Sequence, residues 1–143
     1  MTTIALFGAA GKIGTRISNR MRENPDYALL YVEGSSAGEE HLRARGDFPT
    51  AGAVAAPAAD VVILAVPDVI LGRVAHDVVP QMRPGALCIC LDPAAPHGGE
   101  LPERADIAYF VTHPCHPPIV NDETDLEAKF DFYGGIKAKQ NIV

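Results

Sequence analysis

The chain has 143 residues, of which 48% are hydrophobic and 21% charged, the usage of one ordinary globular domain rather than a disordered or fibrous chain. Its 12 Lys and Arg against 18 Asp and Glu leave a formal charge of −6, which argues against nucleic acid or an anionic membrane surface as a partner. No apolar run reaches the roughly 18 residues of a membrane span, and Met1–Gly8 lacks the marks of a signal peptide, so a cytoplasmic protein is expected.

Thr3–Phe7 reads as a short strand. From Lys12 to Glu23 the spacing is helical, with Ile13, Ile17 and Met21 on one face and Asn24-Pro25-Asp26 as the stop. Tyr27–Val32 is a second strand ending at Glu33-Gly34-Ser35-Ser36, and Ala37–Gly46 a short helix closed by Gly46. The Ala-, Gly- and Pro-rich stretch from Asp47 to Ala59 is expected to hold a short edge strand and loops. Val61–Val66 is continuously apolar, as in a strand buried on both faces of a parallel sheet. Leu71, Val74, Ala75, Val78 and Met82 trace one helical face, with Pro80 ending or kinking its last turn. Leu87–Leu91 and Ile107–Thr112 are two further strands. The three cysteines form no disulfide framework; Cys88 and Cys90, two apart on one side of a strand, are expected to be reduced core thiols.

Strands alternating with helices in this rhythm call for right-handed βαβ crossovers, hence an α/β fold with a doubly wound, mostly parallel sheet of the Rossmann type. Ligands of such a sheet lie outside the carboxyl ends of its strands. There the first strand meets Gly8-Ala9-Ala10-Gly11-Lys12-Ile13-Gly14, a glycine loop that opens a helix. Gly8 suits a tight turn, Gly11 a close approach to a diphosphate and Gly14 close packing of the helix, whose N-terminus attracts anions. Gly8, Ala10, Gly11, Lys12, Ile13 and Gly14 are therefore candidate cofactor contacts. Glu33, 19 residues after Gly14, is placed to accept ribose hydroxyls and to repel a 2′-phosphate, which favours NAD over NADP. Val66-Pro67-Asp68 is expected to flank the nucleotide; Asp68 is read first as a cap of the next helix and second as a cofactor contact.

His113-Pro114-Cys115-His116-Pro117-Pro118, at the end of the last strand, offers two functional readings beside the plain one of a stiff loop with solvated or capping histidines. One is a zinc site, but a second ligand pair such as C-x-x-C is missing, so no metal is expected. The other is a proline-stiffened loop that presents His113 or His116 as a general base at the cofactor's reactive end, with Asp92, Asn121 and Asp122 as orienting partners.

Gly8–Gly14, Asp60–Asp68 and Leu91–Pro96 resemble the nucleotide-binding half of the 6-phosphogluconate-dehydrogenase-like β-hydroxyacid dehydrogenases. Thr112–Pro118, followed by Asn121-Asp122-Glu123-Thr124 and Gly134-Gly135, resembles their D-apionate oxidoisomerase-like branch. The resemblance implies NAD-dependent oxidation of a small hydroxy acid or D-apionate-like sugar acid, with carbon rearrangement in the oxidoisomerase. It also implies a helical C-terminal domain that completes the pocket and forms a homodimer. Residues 1–143 then form one dinucleotide-binding domain, with 113–143 as a substrate-side extension and the helical domain, which carries the lysine of the wider family, absent from this chain. Pro93-Ala94-Ala95 replaces the serine that the wider family carries after the acid at Asp92. The alternative functions are a non-catalytic NAD(H)-binding module that reports to a partner, and a zinc enzyme using His113, Cys115 and His116.

Overall fold

A computed structural model describes residues 1–113, 124–130 and 137. Five strands form one sheet: β1 (Thr2–Phe7), β2 (Tyr27–Val32), β3 (Val61–Leu64), β4 (Leu87–Cys90) and β5 (Ala108–Val111). All neighbours are parallel, in the order β2-β1-β3-β4-β5. The helices are α1 (Lys12–Met21), α2 (Ser36–Ala44), α3 (Gly52–Ala58), α4 (Asp68–Val78), α5 (Ala94–His97) and α6 (Leu126–Lys129), with a 3-10 turn at Val79–Gln81.

Strand periodicity sorts the core into two layers. Ala5, Phe7, Val62, Leu64, Cys88 and Cys90 face one side and pack with Ala55 and Ala56 of α3 and Leu71, Ala75 and Val78 of α4. Ile4, Leu6 and Ile63 face the other side, against Leu42 of α2 and the half-buried Ile17 and Met21 of α1. Leu6, Leu42, Leu64 and Leu71 are fully buried, each contributing about 1.5–3 kcal/mol of transfer free energy. The hydrogen bond with Cys90 and burial push the Cys88 thiol well up from its ordinary value, and the same hydrogen bond draws Cys90 down; both are buried, free cysteines of the core, as expected.

Asp60 ties the amino ends of the strands together: Thr3 N donates to its Oδ2 at 2.7 Å, and Arg83 pairs with its Oδ1 while donating to the Ala59 carbonyl at 3.1 Å. The stretch 47–59 differs from its sequence reading. Instead of an edge strand it holds a single parallel bridge, Tyr31 to Pro49, and then α3. Two of the four Ala residues of α3, Ala55 and Ala56, are buried and small enough to press the helix onto the sheet, and Pro57 is tolerated in its last turn, so tertiary burial overrides a weak local pattern. Pro80 ends α4 as expected, inside the 3-10 turn. No helix among the described residues is long and apolar enough to cross a membrane.

The chain adds β2 on one side of β1 and then crosses over to add β3, β4 and β5 on the other. The carboxyl ends of β1 and β3 therefore flank the point where the winding reverses, and there the surface opens.

Candidate dinucleotide and catalytic site

Gly8 ends β1 with φ +78° and donates to the Val32 carbonyl at 3.0 Å. A methyl group on Gly8 would lie 2.2 Å from the Ala65 carbonyl oxygen, and one on Gly14 would lie 2.2 Å from the Gly8 carbonyl oxygen. Only hydrogen fits at either position, so α1 starts directly against the loop and the end of β3. Gly11 is the N-cap of α1 and supplies no side-chain cap. The first turn of α1 holds no acid and begins with Lys12, whereas α2 is capped by Ser35 and has Glu39 in its first turn. The open N–H groups and dipole of α1 thus favour an anion from outside the chain.

Glu33 follows β2 and folds back onto this loop. Ala10 N donates to its Oε1 at 2.5 Å, and Oε2 lies against the first turn of α2, where a methyl on Gly38 would come within 2.5 Å of it. A single carboxylate therefore links the end of β2, the glycine loop and α2. Both arginines that follow β2, Arg43 and Arg45, are paired within the chain. Arg43 pairs with Glu39 at 2.9 Å, and Arg45 is engaged with Asp47 at 2.8 Å.

Two clefts meet over Gly11 and the ridge Ala65-Val66-Pro67. The first, about 590 Å³, is bordered by Gly8, Glu33, Gly34, Ser35, Gly52 and Ile70. The second, about 500 Å³, is bordered by Lys12, Ile13, Asp68, Leu91, Asp92 and His113. Asp68 departs from its first reading: Pro67 is the N-cap of α4, no side-chain cap bond forms, and Asp68 sits in the first helical turn facing the second cleft. The helix starts one residue earlier than an Asp68 cap requires, because Pro67 holds the φ of −57° that suits a helix entrance.

At the far end of the second cleft the carboxyl ends of β4 and β5 bring Asp92 and His113 together. His113 Nδ1 lies 3.1 Å from the Leu91 carbonyl oxygen and 3.6 Å from Asp92 Oδ2. Both groups only accept, so this geometry suits the tautomer that carries its proton on Nδ1. Asp92 is in turn fixed by Ala94 N, which donates to Oδ1 at 2.7 Å. His113 is 38% exposed and Asp92 14%, so the imidazole reaches solvent while its partner is held back. His116, Cys115, Asn121 and Asp122 lie outside the described residues. Among the described residues no group of His, Cys, Asp and Glu side chains is arranged to hold a metal.

All the other candidate residues named from the sequence, Gly8, Ala10, Gly11, Lys12, Ile13, Gly14, Glu33, Val66, Pro67 and Asp68, fall at this one junction. Sequence reading missed Gly38, which makes room for the Glu33 carboxylate, and the Arg45–Asp47 pair behind the loop. Gly38 had a legible signal, a glycine in the first turn of a helix, where it otherwise costs stability.

No protein-family model matches the chain. D-apionate oxidoisomerase of Rhizobium rhizogenes (strain K84 / ATCC BAA-868) is 49% identical over 144 residues, all of this chain and 52% of that protein. Over nearly its whole length the chain is similar to the D-apionate oxidoisomerases, at 41–49% identity. It spans about half the length of the curated relatives it matches. A semialdehyde dehydrogenase NAD-binding protein from Cupriavidus necator, solved in complex with calcium and NAD, superimposes with a TM-score of 0.81 at 48% identity, over 99% of this chain and 51% of that one. The 3-hydroxyisobutyrate dehydrogenase of Mycobacterium tuberculosis shares the fold, with a TM-score of 0.62 at 21% identity over 80% of this chain. The chain thus has the Rossmann-type sheet expected from its strand and helix rhythm.

Proposed function

We propose that the chain is the nucleotide-binding half of an NAD-dependent oxidoreductase acting on a small hydroxy acid, with a D-apionate-like sugar acid as the substrate class. The observation that carries this reading is the cradle at β1 and α1. Hydrogen-only positions at Gly8 and Gly14, an uncapped helix start and the Glu33 carboxylate fit a dinucleotide together. The first cleft would hold the adenosine, with Glu33 on the ribose, and the second the nicotinamide, beside Lys12, Ile13 and His113. That a protein 48% identical to this chain was solved with NAD supports NAD as the ligand. Glu33 and the engagement of Arg43 and Arg45 favour NAD over NADP.

NAD, when bound, supplies the hydride acceptor. The protein's own part is to orient the substrate carbinol and take its hydroxyl proton. His113 Nε2 receives that proton; Leu91 and Asp92 hold the ring and stabilise the charge it acquires. His116 is the other candidate base. A helical C-terminal domain that completes the pocket and makes a homodimer, and a cytoplasmic setting, belong to the same reading.

Calorimetric titration of the chain with NADH, NAD and NADPH tests the cofactor. Micromolar NADH binding with weaker NADPH binding is expected, and no heat with any of the three on folded protein would overturn the reading. Substrate-dependent NADH formation from D-apionate, by a longer protein that carries this chain, tests the reaction.

A further inference from the structure

Arg45 is the C-cap of α2, and its guanidinium turns back toward α1. Its Nε and Nη2 donate to Asp47 Oδ2 at 3.1 and 2.8 Å, its Nη1 donates to Thr15 Oγ1, and its Nη2 lies 3.5 Å from the Ala9 carbonyl oxygen. Asp47 is buried and also takes Arg22 at 3.2 Å. Thr15 Oγ1 donates onward to the Ala10 carbonyl at 3.4 Å.

We propose that Arg45 is a positioning residue for the cofactor diphosphate, bracing the glycine loop from behind through Thr15 and Ala9 while Asp47 holds its guanidinium in place. The proposal rests on the reading of this loop as a dinucleotide site. With the brace in place, consecutive backbone groups of the loop are all committed on the protein side. The Ala9 carbonyl faces Arg45, the Ala10 amide faces Glu33, the Ala10 carbonyl faces Thr15, and Gly11 N donates to the Gly8 carbonyl at 3.1 Å. Fixing these groups sets the orientation of the N–H groups that open the helix, so a diphosphate meets a cradle already formed and less ordering cost is left to binding. Two guanidiniums around one carboxylate also leave a surplus positive charge behind a loop that receives an anion. A lysine at 45 could pair with Asp47 but could not fork to Thr15 and Ala9 as well.

The test is calorimetric titration with NADH and with ADP-ribose on the unaltered chain, T15V, T15S, R45K, the R45K/T15V double variant and D47N, each with a thermal melt. T15V leaves the Arg45–Asp47 pair in place, so it is expected to melt close to the unaltered chain while binding both ligands about 3- to 10-fold more weakly. T15S is expected to bind as the unaltered chain does. R45K is expected to lose a similar factor, and the double variant no more than the weaker single one, because both break one chain of contacts. D47N separates bracing from charge: loss of the brace weakens NADH binding, whereas a purely electrostatic role for Arg45 would tighten it. Unchanged affinity in T15V and R45K, strictly multiplying losses in the double variant, or tighter binding by D47N would each overturn the proposal alone. Absence of NADH binding by the unaltered chain would overturn the cofactor reading and this proposal with it.

Discussion

The Glu33 carboxylate accepts the Ala10 amide at 2.5 Å and rests its second oxygen against the turn that contains Gly38. The residue that would read the ribose therefore also anchors the loop that would hold the diphosphate. Substitution should separate the two roles. E33Q keeps an acceptor for Ala10 but loses the charge, so it should lower the NADH-over-NADPH preference about tenfold with little loss of NADH affinity. E33A removes the anchor too and should weaken NADH about tenfold as well. Fluorescence titration with both cofactors measures the two effects.

Positive φ alone and positive φ with a close neighbour predict different costs. Gly85 has φ +79° with nothing within 4 Å of an added methyl, so Gly85→Ala should cost about 1–2 kcal/mol. Gly8 has φ +78° and would also drive its methyl into the Ala65 carbonyl, so Gly8→Ala should cost more than about 3 kcal/mol and remove NADH binding. Urea unfolding of the two variants gives the comparison.

His113 predicts a split between binding and turnover. In a longer protein that carries this chain, H113N should keep NADH affinity within about twofold and reduce substrate-dependent turnover about 100-fold or more. D92N, which leaves the ring in place but removes the charge beside it, should fall between that variant and the unaltered protein. Retained turnover in H113N would move the base to His116.

The alkaline limit of stability has an identifiable contributor. Burial, then the neighbouring Cys88 and Cys90, push the Tyr109 phenol up from 10 to about 12, and its hydroxyl donates to the Pro102 carbonyl at 2.7 Å. The folded state thus holds this proton more tightly than the unfolded chain. The contribution is complete below pH 10 and is lost as pH rises from 10 to about 12. Y109F should flatten the fall of the urea midpoint in that window, leaving the share of Tyr31, whose phenol is raised in the same direction by burial and by Asp47.

The strands were legible because parallel strands buried on both faces leave an unbroken apolar run, as in Val61–Leu64 and residues 4–7. The glycine loop was legible because its steric demands are local, between Gly8, Gly14 and Ala65. The helix at Gly52–Ala58 was not, since Ala, Gly and Pro carry no amphipathic stripe and its burial comes from the sheet beneath it. The same holds for the network behind the loop. Arg45 and Asp47 lie 30 and 32 positions after Thr15, and only the return of α2 over α1 brings them to it. Asp92 and His113 could be named as partners from sequence because both follow strands, and the pairing of β4 with β5 makes those strand ends neighbours.

The ridge Ala65-Val66-Pro67 borders both clefts, and its proline stiffens it. On the proposed reading it would serve as a common fulcrum: half-molecules such as AMP and nicotinamide mononucleotide would each press on it alone, while the intact dinucleotide would straddle it with its halves tethered. Joining them should multiply affinity through effective concentration rather than through any added contact.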